Sequence, residues 1–239
     1  MKTKTAIVTG AAGSLGSELS LKAVNAGWNV IMLDSNKPGL EQVYDRIAED
    51  APGAAALYPM DLAGANPELF EALLDSVEKE FSGLDAIVHC AARFESLTPV
   101  EHVQPQEWLM HMQVNLNAAW LLSAMAMPLL RSSPAGKLVF LLEDMDKVEG
   151  PLWGAYGVSK HALRALVNQF AQECEPGTVE VKGVNPGPMR SSIRTSIYHS
   201  ENPTGMPSPE PAAAHIAAYL DGTEAWSEVF VDLQEAAKC

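Results

Sequence analysis

Apolar positions along the chain fall into two alternating rhythms. Short, nearly continuous apolar runs at residues 5–9, 28–33, 54–58, 84–89, 137–142, 179–184 and 228–231 read as buried strands. Between them, apolar residues recur every three or four positions. The clearest case is 67–81, where Leu69, Phe70, Leu73, Leu74 and Val77 share one helical face. The spacing predicts helices over 15–26, 39–48, 67–81, 106–130, 155–174 and 212–220. Strands that are apolar throughout and alternate with helices imply a parallel sheet covered on both faces. Right-handed crossovers then give an α/β fold with a doubly wound sheet of about seven strands. No internal repeat and no linker divides the sequence.

Composition narrows the partners. With 47% hydrophobic and 19% charged residues, the 239-residue chain can bury a large core and is not a disordered one. Sixteen Lys and Arg against 30 Asp and Glu give a net charge of −14. That field repels nucleic-acid phosphates and anionic membrane surfaces, so neither partner is expected. No apolar run reaches the roughly 18 residues of a membrane span. Lys2 and Lys4 precede an apolar stretch, but Gly10, Gly13, Gly16 and Glu18 break it, and it is not read as a secretory leader. Cys90, Cys174 and Cys239 are odd in number, widely spaced and lack a CxxC pair, which argues for a reducing, cytoplasmic setting. The six histidines show no metal-ligand spacing, and no metal is expected. Met110, Met112, Met125 and Met127 read as packing residues.

The first strand runs into Thr9-Gly-Ala-Ala-Gly-Ser-Leu-Gly16. Glycines there let backbone approach a pyrophosphate, and the following helix offers free N–H groups and its positive dipole end. Such a turn also closes a βα unit with no ligand; its place between strand and helix is what points to a dinucleotide. Strand two ends at Asp34, 18 residues after Gly16. A carboxylate there accepts from both ribose hydroxyls and repels a 2′-phosphate, which favours NAD over NADP. Lys37 softens that preference. Asp61, after the third strand, either meets the adenine amino group or caps a turn.

Tyr156-Gly-Val-Ser-Lys160 puts a phenol and an ammonium on one helix face. At about 5 Å and an effective dielectric of about 20, the ammonium favours the phenolate by roughly 3 kcal/mol. That equals about two pKa units, so the expectation is an acidified Tyr156 able to exchange a proton. The same spacing also occurs in ordinary exposed helix pairs.

Together these segments resemble the short-chain dehydrogenase/reductase superfamily over nearly the whole chain. The matching stretches are Thr9 to Gly16, Asp61-Leu62, Val88-His-Cys-Ala-Ala92, Asn115 in Val114-Asn-Leu116, Tyr156 to Lys160, and Asn185-Pro-Gly187. The resemblance implies a Rossmann-type fold and hydride exchange between a nicotinamide cofactor and an alcohol or ketone. It makes Tyr156 the general acid/base and Lys160 the residue that lowers its pKa and holds the nicotinamide ribose. Asn115 resembles the residue that steadies a proton-relay water. The cofactor-binding positions it implies are Gly10, Gly13, Ser14, Leu15, Gly16, Asp34, Asp61, Leu62, Ala91, Lys160, Pro186 and Gly187. It also implies a homodimer or homotetramer packed through the helices at 106–130 and 155–174. Residues 1–239 then form a single dinucleotide-binding domain with a substrate lid at about 185–211.

Three features depart from the family pattern. Its serine, 13 residues before the tyrosine, is replaced by Glu143, and no Ser or Thr lies anywhere in 134–156. A serine hydroxyl donates to a substrate carbonyl; an ionised carboxylate only accepts. Beside Tyr156, Glu143 raises the phenol pKa or pairs with Lys160; protonated, it donates; turned outward, it leaves the site one donor short. The glycine turn reads TGxxGxxG rather than TGxxxGxG, and Val88-His-Cys-Ala-Ala92 replaces an Asn-Asn-Ala-Gly run. The acidic run Glu143, Asp144, Asp146, Glu149 is expected to border the substrate entrance or to form a solvated loop. The lid carries Arg190, Arg194, Tyr198 and His199, and its arginines are placed to meet cofactor phosphates or that acidic run. Glu143 therefore counts as a candidate catalytic residue with Tyr156, Lys160 and Asn115. Three readings follow: an active NAD(P)-dependent oxidoreductase, a non-catalytic dinucleotide-binding sensor or subunit, and an isomerase or dehydratase using Glu143 as a proton carrier.

Overall fold

The computed structural model describes residues 2–236; Cys239 lies outside them. Seven parallel strands run β1 (Thr5–Thr9), β2 (Asn29–Asp34), β3 (Ala55–Pro59), β4 (Ala86–His89), β5 (Gly136–Leu141), β6 (Val179–Asn185) and β7 (Phe230–Asp232). Their spatial order is β3-β2-β1-β4-β5-β6-β7, the doubly wound arrangement expected from the sequence. Strand residues alternate between two cores. Ala6 and Val8 face a layer with Leu19 of α1 (Ser14–Asn25), Leu40 of α2 (Lys37–Ala48) and Ile216 of α9 (Glu210–Asp221). Ile7 and Ile87 face Phe70 of α3 (Pro67–Phe81), Leu122 of α5 (Ala118–Ser132) and Leu163 of α7 (Gly154–Glu173). Burial on both faces is why the strands carry continuous apolar runs rather than alternating ones.

The structure departs from the sequence reading in the long helix and in the lid segment, among other places. The helix expected over 106–130 is divided into α4 (Pro105–Met112), a π-helical turn at Gln113–Asn117, and α5. Insertions of this kind gather at functional positions, and this one carries Asn115. The expected lid loop contains α8 (Ser192–Ile197). No described helix is long and apolar enough to cross a membrane.

One buried group makes the fold sensitive to acid. His89, on β4, stacks on Phe140 with centroids 4.8 Å apart, and its Nε2 lies 2.9 Å from Ser123 Oγ. Burial lowers its pKa from the ordinary 6.5 to about 3. The unfolded chain therefore takes up this proton first as pH falls. The contribution is complete above pH 6.5 and is lost below it, by about 2 kcal/mol at pH 5. Urea unfolding at pH 7 and pH 5 should show that loss, and His89→Asn should remove its share of the slope.

Candidate active site

β1 and β4 are neighbours whose following connections leave toward opposite edges of the sheet, so a crevice opens at their carboxyl ends. Gly10 turns the chain there with φ +65°, and a Cβ on it would lie 2.7 Å from Ala91 N. Only glycine lets these two strand ends approach so closely. The Ala91 N–H donates to Thr9 Oγ1 at 3.2 Å, fixing the same junction. α1 then starts from Gly13 with no side-chain cap and no acidic residue in its first turn. Its leading N–H groups and dipole are left for an anionic ligand. At the end of β2, Asp34 Oδ2 accepts from Ala12 N at 3.0 Å and Oδ1 from Asn36 N at 2.9 Å. These bonds hold the carboxylate at the rim beside the glycine turn. Lys37 leans toward Glu41, 3.8 Å away.

A single cleft of about 580 Å³ runs from this turn across the sheet edge. All twelve cofactor positions expected from the sequence line it: Gly10, Gly13, Ser14, Leu15, Gly16, Asp34, Asp61, Leu62, Ala91, Lys160, Pro186 and Gly187. Asp61 also accepts from Ala63 N at 2.9 Å, so it stabilises its own turn. An uncapped helix start, a fixed carboxylate and a long groove between them fit a nicotinamide dinucleotide: donors for phosphates at one point, acceptors for ribose hydroxyls at the other.

The far end of the cleft is built on α7. A Cβ on Gly157 would sit 2.4 Å from Val148 O, so glycine is what lets α6 (Met145–Val148) lie against α7. That packing brings the end of β5, and with it Glu143, over Tyr156. The Tyr156 hydroxyl donates to Glu143 Oε1 at 2.5 Å, and the ring is 2% exposed. Burial first, and then the charge and hydrogen bond of Glu143, hold the phenol pKa well above its usual 10. The acidified tyrosine expected from the Tyr–Lys spacing is thus reversed here. Lys160 Nζ lies 5.7 Å from the Tyr156 ring centre and donates to Leu141 O at 3.0 Å. The carboxylate is in direct hydrogen-bond contact with the phenol oxygen, and its charge opposes the acidifying effect of the ammonium. Burial lowers the Lys160 pKa, with the Glu143 charge partly offsetting it.

Asn115 is the one candidate catalytic residue outside the cleft lining. It is 2% exposed and works beneath the site. Its Oδ1 accepts from Arg93 N at 2.6 Å, and its Nδ2 donates to Arg93 O at 3.0 Å and Ser159 Oγ at 2.9 Å. It ties the strand-exit loop after β4 to the helix that carries Tyr156. Ser159 gave no signal in the sequence beyond its place inside the Tyr–Lys segment.

The acidic run is divided rather than massed at the entrance. Glu143 lines the cleft, Asp144 caps α6 by accepting from Lys147 N at 3.3 Å, and Asp146 and Glu149 face solvent. In the expected lid segment, Arg194 is held by Glu201 through two bonds of 2.6 and 2.8 Å, while the charge of Glu143, from the acidic run, also acts on it. Ile197 of α8 packs on the cluster of Val148, Trp153 and Tyr156. Lys147 Nζ lies 5.9 Å from the ring centre of Trp153 and 4.8 Å from that of Tyr198. Phe94, Trp153 and Lys147 were not singled out from the sequence. Single aromatic and basic residues in loops or in a one-turn helix carry no periodic signal. Cys90 also lines the cleft, where burial pushes its thiol up to about 12, with the Lys160 charge partly offsetting this.

The model of the short chain dehydrogenase family matches residues 4–202, most of the chain. The chain belongs to the short-chain dehydrogenase family. Among its relatives, the uncharacterised oxidoreductase YciK of Escherichia coli strain K12 is 31% identical over 203 residues, 85% of this chain and 80% of that protein. A short chain dehydrogenase of Shigella flexneri complexed with NADP superposes with a TM-score of 0.87 at 28% identity, covering 98% of both chains. One from Escherichia coli CFT073 complexed with NADPH gives 0.88 at 29%, again covering 98% of each. The fold of this short-chain dehydrogenase family member is thus shared with proteins that bind a nicotinamide dinucleotide.

Proposed function

We propose that the chain is a nicotinamide-dependent oxidoreductase exchanging a hydride with an alcohol or ketone carbon, with NAD favoured over NADP. One observation carries the reading: a single cleft joins the uncapped start of α1 to Tyr156 and Lys160. The bound dinucleotide supplies or takes up the hydride. The chain's residues do the rest. N–H groups of Ser14, Leu15 and Gly16 hold phosphate, and Asp34 accepts from ribose hydroxyls. Pro186 and Gly187 flank the nicotinamide, Lys160 holds its ribose, and Tyr156 exchanges the proton of the substrate oxygen. Glu143 works against that last step, because it takes the phenol proton as its own hydrogen bond.

The NAD preference rests on Asp34. The relatives complexed with NADP and NADPH mean that the fold admits a 2′-phosphate. A carboxylate fixed by two backbone N–H groups at the rim selects against one. The reading takes residues 1–239 as one domain with 185–211 as its lid, working in the cytoplasm. It includes a homodimer or homotetramer packed through α4, α5 and α7, supported by Leu109, Trp120 and Val158, which are 60%, 49% and 41% exposed. A second reading, a dinucleotide-binding protein without turnover, is favoured by the Tyr156–Glu143 bond.

Calorimetry with NADH and NADPH, followed by transfer of deuterium from the 4-deuterated cofactor into a carbonyl panel, tests both. Binding with transfer supports the oxidoreductase. Binding without transfer supports the second reading, and absence of binding overturns both.

A further inference from the structure

We propose that the reaction centre takes a protonated imine, and in reverse an amine, in preference to a ketone or alcohol. This rests on the reading of the cleft as a hydride-transfer site. It begins with the hydrogen-bond character of the pair at its far end. The Tyr156 proton is directed at Glu143 Oε1, so the two residues together turn acceptor lone pairs toward a ligand. Glu143 Oε2 accepts no hydrogen bond from a described residue. No ion pair within 4 Å among the described residues holds Glu143: the Arg194 charge that acts on it is bonded to Glu201, and Arg93 is paired with Glu95. Lys160 donates one of its three N–H groups to Leu141 O and makes no ion pair with Glu143 within 4 Å.

A ketone oxygen is itself an acceptor, and it meets a carboxylate where it needs a donor. An iminium nitrogen carries an N–H and a positive charge, and both are matched by Glu143. The surrounding walls suit the same ligand. Phe94 and Trp153 stand 5.4 and 5.9 Å from the Tyr156 ring, centre to centre, and Phe94 and Trp153 are 6.2 Å apart. Aromatic faces of this kind attract organic cations, and Trp153 and Tyr198 already hold the Lys147 ammonium.

The chemistry needs no proton from Tyr156. A hydride from the reduced nicotinamide forms the new C–H bond at the iminium carbon. The C=N π pair becomes the nitrogen lone pair, and the dinucleotide is left oxidised. The amine nitrogen takes a proton from water afterwards. The missing serine donor is therefore no handicap for this substrate class, while it is one for a ketone.

The test compares methylpyrroline with cyclopentanone as matched five-membered substrates of the full chain, with NADH and NADPH. Wild type should reduce the imine with kcat/KM on the order of 100-fold above the ketone. Glu143→Gln keeps the size and removes the charge, and Glu143→Ser restores a donor. Both should narrow the ratio by on the order of 100-fold, with melting curves confirming that each variant folds. A loss of structure would lower both rates together, whereas the ratio reports the charge at Glu143. Equal reduction of both substrates, or a ratio unchanged in Glu143→Gln, overturns the proposal and leaves the oxidoreductase reading standing. Turnover of neither, with the dinucleotide bound, overturns both.

Discussion

Glu143→Ser should raise ketone-reduction kcat by on the order of 10²-fold, the usual worth of one donor aimed at a developing alkoxide. Two effects of the substitution add. A hydroxyl that can donate replaces a carboxylate that can only accept. The Tyr156 hydroxyl also loses the acceptor that holds it at 2.5 Å and one of the causes that raise its pKa. The gain should appear in kcat more than in KM, because the new donor acts on charge that forms only in the transition state. Steady-state rates on a reducible ketone, with wild type and variant compared at one pH, check it. An unchanged kcat would mean that Glu143 does not limit carbonyl chemistry.

Asp34→Asn should shift the NADH-to-NADPH preference toward NADPH by on the order of 100-fold in the ratio of dissociation constants. The carboxylate sits at the end of β2 with one oxygen on Ala12 N and the other on Asn36 N, so it is held in place. A unit charge about 4 Å from a phosphate charge is worth about 4 kcal/mol at an effective dielectric of about 20. Asp34 is half-buried, which cuts that to roughly 2–3 kcal/mol. Asparagine keeps the shape and one acceptor oxygen while removing the charge. Calorimetric titration with both reduced dinucleotides reads the ratio. A wild type that already prefers NADPH, with no change in the variant, would show that Asp34 does not select the cofactor.

The sheet was legible in the sequence because its strands are buried on both faces, and a buried strand has little choice but continuous apolar residues. The glycine turn was legible for a similar reason. Gly10 has no substitute where a Cβ would strike the Ala91 backbone. The π-helical turn at Gln113–Asn117 was not legible, because one extra residue in a helix leaves the apolar spacing on either side intact. α8 was hidden by its length, too short to show a period. At the site, the sequence located Tyr156, Lys160 and Glu143 and left open whether Glu143 raises the phenol pKa, pairs with Lys160 or turns outward. Spacing along one helix gives the distance from ammonium to phenol. It says nothing of a carboxylate delivered from another strand, which is what Gly157 and the packing of α6 bring about. Asn115 was identified as a site residue, yet its contacts to Arg93 and Ser159 depend on loop geometry that no periodicity encodes.

Glu143 accepts the Tyr156 proton in a hydrogen bond, and its charge opposes that of Lys160 at the phenol. Ultraviolet difference titration of wild type against Tyr156→Phe isolates this phenol from the other tyrosines. No phenolate should form from Tyr156 below about pH 10, and its onset should move to lower pH when Glu143→Gln removes the adjoining charge. A Tyr156 phenolate forming between about pH 7 and 9 in the wild type, unmoved by Glu143→Gln, would contradict it.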